Sequence, residues 1–405
     1  MIFGNYAGMP AVDKLRSIHP EDILMGIEEP SSLDNHVFSG SVFPELSTYN
    51  GDVLVISASP VEGPNGFNLF NTPVEKIKDF LVNNSTDQTK ILIEDWHEGI
   101  RITEVYGIIT KIVNTSSLQL NQFSYASCTA NSDEIQKLLF YSKIHTYAYN
   151  TWEQIVHKNS LYLPNLPFEI KRRQKLFLCF NRMLRPHRLH LLALLFAEDL
   201  VDQGFYSFFL SSFHDFTISS VEEVTHWINC TPHNPELHHI SIREIAKHFD
   251  SFPLILNIEH SNNKNFIDKD DFRLYSESYF SLVTETSFFK NYHNTHTVFF
   301  SEKTYKPILM KHPFILVGAW KSLWHLKKQG YKTFSPFIDE SYDEIEDDFE
   351  RLFAITREVV RLSKFTDAHW ILWQHSIKSI VEHNYQTLIS KKDDNDYIIS
   401  RPNAS

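Results

Sequence analysis

Residues 279–318, YFSLVTETSFFKNYHNTHTVFFSEKTYKPILMKHPFILVG, constrain the fold more than any other stretch of the chain. An apolar run ends in Thr284-Glu285-Thr286-Ser287, a polar loop follows, Ser301-Glu302-Lys303 opens a helical segment, and a second apolar run spans Pro313 to Val317. These signals predict strand, loop, helix, strand, with a carboxylate at the end of the first strand and a Glu-Lys pair at the helix start. Open α/β sheets take ligands at that edge, outside the carboxyl ends of their strands. A helix N-terminus placed there offers unpaired N–H groups and a positive dipole end to a phosphate. Lys303 adds a full charge, and Glu302 can accept hydrogen bonds from sugar or ribose hydroxyls. The ligand this chemistry points to is phosphorylated and hydroxyl-rich, such as a nucleotide sugar. Glu-Lys pairs in first helical turns are also common on solvated faces, so a second element has to support the reading.

Residues 175–190, KLFLCFNRMLRPHRLH, supply it. Leu176 to Phe180 read as a buried strand, Asn181 to Arg185 as a short basic loop, and Pro186 as the first turn of a helix. That helix, running on through LLALLFAEDL, is apolar on nearly every side and is expected to pack on the sheet. Asn181, Arg182, Arg185 and Arg188 therefore stand where a first βα turn delivers its ligands. An arginine suits phosphate because its guanidinium donates two parallel hydrogen bonds. For His187 and Arg188 the alternative is simple capping or solvation of the helix.

The order FLCFNRMLRPHR, SLVTETSF, FFSEKTYKPILMKHPFILVG resembles the donor-binding domain of fucosyltransferase-like glycosyltransferases of the two-Rossmann GT-B type. Those enzymes carry a strand ending in Ser-Asn with an Arg just after it, a later strand ending in a Glu-containing turn, and a Thr-Glu-Lys that opens a helix before a Pro-Ile strand. Asn181 with Arg182 or Arg185 matches the first element, Glu285 the second, and Glu302 with Lys303 the third. The resemblance implies that Arg185 or Arg182 and Lys303 hold the donor diphosphate and that Glu302 holds the ribose. It covers residues 175–320. Ser301 replaces the usual Thr, Tyr305-Lys306-Pro307 stands where the family has aliphatic residues, and no Asn follows Glu285. The fold class it implies is α/β, two Rossmann-like domains facing a cleft, with a nucleotide sugar as co-substrate and no metal cofactor.

A chain of 405 residues exceeds what one hydrophobic core organises, so two domains are expected. Hydrophobic residues at 42% and aromatics at 14% suffice for both cores. The strands DVLVIS (52–57), KILIED (90–95) and 122–126, with a helix over 73–82, read as an independent, largely parallel α/β unit. The boundary falls in KNSLYLPNLPF, giving an acceptor-binding domain over 1–165 and a donor-binding domain over 169–405. The long helices expected over 349–363 and 368–390 close the second domain, and the last is of the kind that crosses back to the first.

If the second domain binds the donor, the first supplies the base that takes the proton of the acceptor hydroxyl. Ile93-Glu94-Asp95-Trp96-His97-Glu98-Gly99 concentrates carboxylates and a His at a strand's carboxyl end, so Glu98 and Asp95 are the catalytic candidates. The alternative for any one of them is an acidic turn without function. Tyr106, Asn131 and the turn Glu62-Gly63-Pro64-Asn65-Gly66 are further cleft candidates.

Cys128, Cys179 and Cys230 are odd in number and far apart, which indicates neither a disulfide framework nor zinc. The 21 histidines are scattered; His238-His239 and His293/His296 come closest together without metal-ligand spacing. No run reaches a membrane span and the N-terminus lacks a signal-peptide pattern, so a cytoplasmic protein, of a bacterium or a virus-infected cell, is expected. The net charge of −12 argues against a nucleic-acid track, although KRRQK (171–175) and KSLWHLKKQGYK (321–332) are locally basic. Three functions remain open: transfer of a sugar from a nucleotide sugar to a glycan, a phage-type transfer to a hydroxymethylated base of DNA, and a non-catalytic binding or scaffold module on the same fold.

Overall fold

A computed structural model describes residues 53–58, 69, 72–95, 102–132, 134, 135, 144–148, 150–160, 165–211, 217–256, 269–290 and 296–391. The chain divides into two compact units, Met1–Asn159 with Lys391–Ser405, and Ser160–Ser390. The division lies at the end of a helix, Thr151–Ser160, within the expected boundary stretch 158–168. The second unit does not run to the last residue, because the chain rejoins the first unit at Lys391.

The first unit is a parallel sheet of β1 (Val53–Ser57), β2 (Lys90–Asp95), β3 (Phe123–Ser127) and β4 (His145–Ala148), in that spatial order. Successive strands are in register from Val53 opposite Lys90, Ile91 opposite Phe123 and Ser124 opposite His145. Helix α1 (Val74–Asn84) buries Ile77 and Leu81, one turn apart on the same face. Helix α2 (Ile102–Asn114) buries Ile102, Val105, Tyr106, Ile109 and Ile112. With Ile56, Ile91, Ile93, Phe123 and Tyr125 these side chains form one core. Tyr106, a cleft candidate from the sequence, is part of that core: it is fully buried, packs edge-on against Tyr125 and bonds the Thr146 hydroxyl at 2.5 Å. Helix α3 (Thr151–Ser160) follows, and its buried Glu153 pairs with Lys391 at 3.1 Å.

The second unit is also a parallel sheet, of β5 (Lys175–Phe180), β6 (Gly204–Ser207), β7 (Ser278–Thr284) and β8 (Phe314–Val317), but its spatial order is β6-β5-β7-β8. The chain moves outward from β5 to β6, returns to the other side of β5 as β7, and continues outward to β8. Every residue of β7 and β8 is buried, as in parallel sheets covered on both faces. Gly204 opens β6 where any Cβ would stand 2.3 Å from the Phe177 ring, so only glycine allows that strand its approach to β5.

Helix α4 (Pro186–Ala197) links β5 to β6 and packs against α6 (Pro235–Lys247), which follows α5 (Val221–Asn229). Helix α7 (Lys269–Glu277) leads into β7, and α8 (Glu302–Leu309) precedes β8. Beyond β8 come α9 (Ser322–Lys328), α10 (Asp348–Ser363) and α11 (Asp367–Ile389). Arg351 of α10 is buried and donates to the carbonyls of Gly318, Ile345, Glu346 and Phe288 and to Asp348, which pins α10 over the exit of β8. Arg173, from the locally basic run, is a second buried tie, donating to the carbonyls of Tyr275, Ser276, Ser278 and Glu169. Among the described residues no helix is long and apolar enough to cross a membrane.

Candidate functional site

The strand order of the second unit reverses between β5 and β7, and a ligand crevice in such sheets opens outside the carboxyl ends of the strands at that reversal. The residues that leave β5 and β7 there are Asn181 and Glu285. Asn181 is buried and shut off from any ligand by its own bonds: its amide donates to the Tyr206 hydroxyl at 3.1 Å and the Cys179 sulfur at 3.2 Å, and its oxygen accepts from Thr284. It ties β5, β6 and β7 together at their ends. Arg182 is exposed and makes no ion pair among the described residues. Arg185 is half-buried at the N-cap of α4, ahead of Pro186.

Arg188 lies in the first turn of α4 and is the centre of the site. Its side chain is 2% exposed, because α4 is covered on nearly all sides. It donates to the carbonyls of Met183 and Thr284, both at 3.1 Å, so it bridges the β5–α4 loop and the end of β7. Its Nε has no partner, and among the described residues no carboxylate lies within ion-pairing distance of the guanidinium. Burial, and then the charge of Arg185, lower its pKa to about 10, which leaves it cationic at neutral pH. A buried cation without a directly paired carboxylate is costly, and an anion seated beside it offsets that cost. Beside it His187 is neutral: burial, then Arg188, hold its pKa well below the ordinary imidazole value. Its Nε2–H donates to the Glu285 carbonyl at 2.8 Å and its ring stacks on Phe288.

Glu285 is equally buried, at 1% exposure. Its Oε1 accepts the Ser301 N–H at 2.9 Å and the Thr304 hydroxyl at 2.5 Å, and its Oε2 accepts the Ser301 hydroxyl at 2.7 Å. The start of α8 is therefore closed in a way the sequence does not reveal. Ser301 N–H goes to Glu285, Lys303 N–H to the Ser301 hydroxyl at 3.3 Å, and Thr304 N–H to the Ser301 carbonyl. Three of the N–H groups expected to meet a phosphate, those of Ser301, Lys303 and Thr304, are already engaged. What α8 presents is Lys303, its side chain 27% exposed and its ammonium resting on the Ser301 hydroxyl at 3.1 Å and on Glu302 at 3.2 Å. Burial works against the Glu302 carboxylate, but Lys303 and Lys306 outweigh it and hold the group below the usual carboxylate range. Glu285, Glu302 and Arg185 all act electrostatically on Arg188, which places the two strand ends and both helix starts in one charged neighbourhood.

In the first unit, Asp95 ends β2 and is buried, with its Oδ2 accepting the Tyr125 hydroxyl at 3.0 Å. Glu98, His97, Trp96 and residues 62–66 lie outside the described residues. Asn131 is buried beside the exit of β3. Cys128 and Cys179 are buried free thiols; burial pushes Cys179 up to about 12, which removes it as a nucleophile. Among the described residues no three His, Cys, Asp or Glu side chains gather as a metal site.

Sequence reasoning placed Arg188 with Arg182 and Arg185 at the first βα turn but gave the diphosphate to Arg182 or Arg185 and left capping of the helix as the alternative for Arg188. The signal for Arg188 is its place within a helix whose neighbours are apolar on all sides: such a helix buries whatever cation it carries. No protein-family model, curated protein or solved structure matches the chain.

Proposed function

We propose that the chain is a glycosyltransferase that moves a sugar from a nucleotide-sugar donor to an acceptor hydroxyl, with the donor bound by the second unit. The observation that carries this reading is Arg188, a buried guanidinium without a paired carboxylate among the described residues, at the reversal point of a parallel sheet. The donor's phosphate oxygens accept from Arg188 and Arg185 on one side and from Lys303 on the other, and the Glu302 carboxylate accepts from ribose hydroxyls. Positive charge beside the phosphates stabilises them as a leaving group when the bond to the anomeric carbon breaks. The first unit receives the acceptor in this reading, and Asp95 or Glu98 takes its proton.

The test is thermal stabilisation by UDP-, GDP- and CMP-sugars and by the free nucleotides. A ligand at 100 times its dissociation constant adds about 2.7 kcal/mol to the stability. One of the series is expected to stabilise the wild-type protein and to lose its effect in Arg188→Ala. Absence of stabilisation by every member of the series rejects the reading.

A further inference from the structure

We infer that Glu285 is the positioning residue of this site, holding Lys303 in place through Ser301 without touching the ligand itself. The inference rests on the donor-site reading above. A carboxylate has two oxygens and about four acceptor positions. All are taken inside the protein, by the Ser301 N–H and hydroxyl, the Thr304 hydroxyl and the Thr286 N–H at 3.3 Å. With its side chain 99% shielded and saturated, Glu285 has no capacity left for a ribose or a sugar hydroxyl.

What the residue does instead is join three elements. Its carboxylate holds the first turn of α8, its N–H donates to the Val317 carbonyl at the end of β8, and its carbonyl accepts from His187 of α4. Arg188 reaches the neighbouring Thr284 carbonyl. The path to Lys303 runs through one hydroxyl. Ser301 gives its only hydroxyl proton to Glu285, so both lone pairs of that oxygen face Lys303, one taking its N–H and one its ammonium. Removing the charge of Glu285 releases that hydroxyl to turn, and the ammonium then loses a fixed support. An amide in place of the carboxylate brings an NH₂ against donors it cannot accept from, which breaks the network while preserving its volume.

The experiment is a double-variant cycle read by calorimetric binding of UDP, GDP and inorganic pyrophosphate to the full chain. Glu285→Gln and Lys303→Ala are each expected to weaken the tightest probe about tenfold, and the double variant to be no weaker than Lys303→Ala alone, because one residue acts through the other. Additive losses overturn the inference, as does an unchanged affinity in Glu285→Gln beside a weakened Lys303→Ala. Ser301→Ala tests the same path should Glu285→Gln fail to fold: it removes the connecting hydroxyl but leaves the carboxylate its Thr304 and backbone donors, and it is expected to reproduce the loss. Wild-type protein that binds none of the three probes removes the donor-site reading, and this inference with it.

Discussion

The Thr284 hydroxyl donates to the Asn181 side-chain oxygen at 2.5 Å, so the last residue of β7 and the first residue after β5 are tied across the point where the sheet reverses. That bond, with the one from Asn181 to Tyr206, assigns Asn181 to the frame of the site. Asn181→Ala leaves two buried hydroxyls without this partner and is expected to cost about 2 kcal/mol, seen as a lowered urea midpoint. Ligand affinity should change little. A lost affinity at unchanged stability would return Asn181 to the ligand.

Lys303 stands in the opposite position, with about a quarter of its side chain exposed. Its pair with Glu302 contributes at most about 1 kcal/mol. Lys303→Ala should therefore leave the thermal midpoint within a few degrees of wild type while weakening nucleotide binding, and this difference should shrink as salt is raised. A salt-independent loss of binding would point to a change of shape.

Stability should fall with acid in a defined window. Burial, then the charge of His238, lowers His190 to about 3, and burial, then Arg173, does the same for His312. The unfolded chain takes up protons on these rings near pH 6.5 and the folded chain only near 3, so in between the unfolded state binds more protons. The stability contributed by the neutral rings is complete above the unfolded value and is lost as pH falls, by about 1.4 kcal/mol per unit for each ring. His187 shifts in the same direction. Denaturant titrations from pH 8 to pH 4 should show a plateau and then a decline, less steep in His190→Gln. An unaltered slope in that variant would dismiss His190 as a contributor.

Asp95→Asn keeps an acceptor for the Tyr125 hydroxyl, so the fold of the first unit should persist. If Asp95 is the base, turnover falls roughly 10²-fold or more with donor affinity unchanged, and this is the expected outcome. An unaffected rate transfers the role to Glu98 or His97.

How far the sequence could be read depended on how strongly each element was patterned. KILIED forms β2 over the expected residues, and the two terminal helices lie within a residue of their expected bounds, because long apolar periods and capping residues such as Asp347 and Thr366 mark them. Strands β4 and β6 passed unnoticed: HTYA and GFYS are four residues each, too short for a period to register. Helix α2 is rich in Ile, Val and Thr, whose stiff side chains favour strands; only its buried positions at helical spacing show that packing decides its state. At the site, the residue types at the strand ends were legible, but their directions were not. Nothing in Thr284-Glu285-Thr286 says that the carboxylate turns inward to cap α8, since that depends on Ser301 and Thr304 arriving sixteen and nineteen residues later.

The pairing of Glu153 with Lys391 bears on how the protein is made. Residues 160–390 are synthesised as one uninterrupted run and can complete their sheet and helices as soon as they emerge. The unit whose strands emerge first waits longest, because its ion pair between α3 and Lys391 forms only after the entire second unit has left the ribosome. Order of synthesis and order of completion are therefore inverted, and the earlier half is the one that spends translation unfinished.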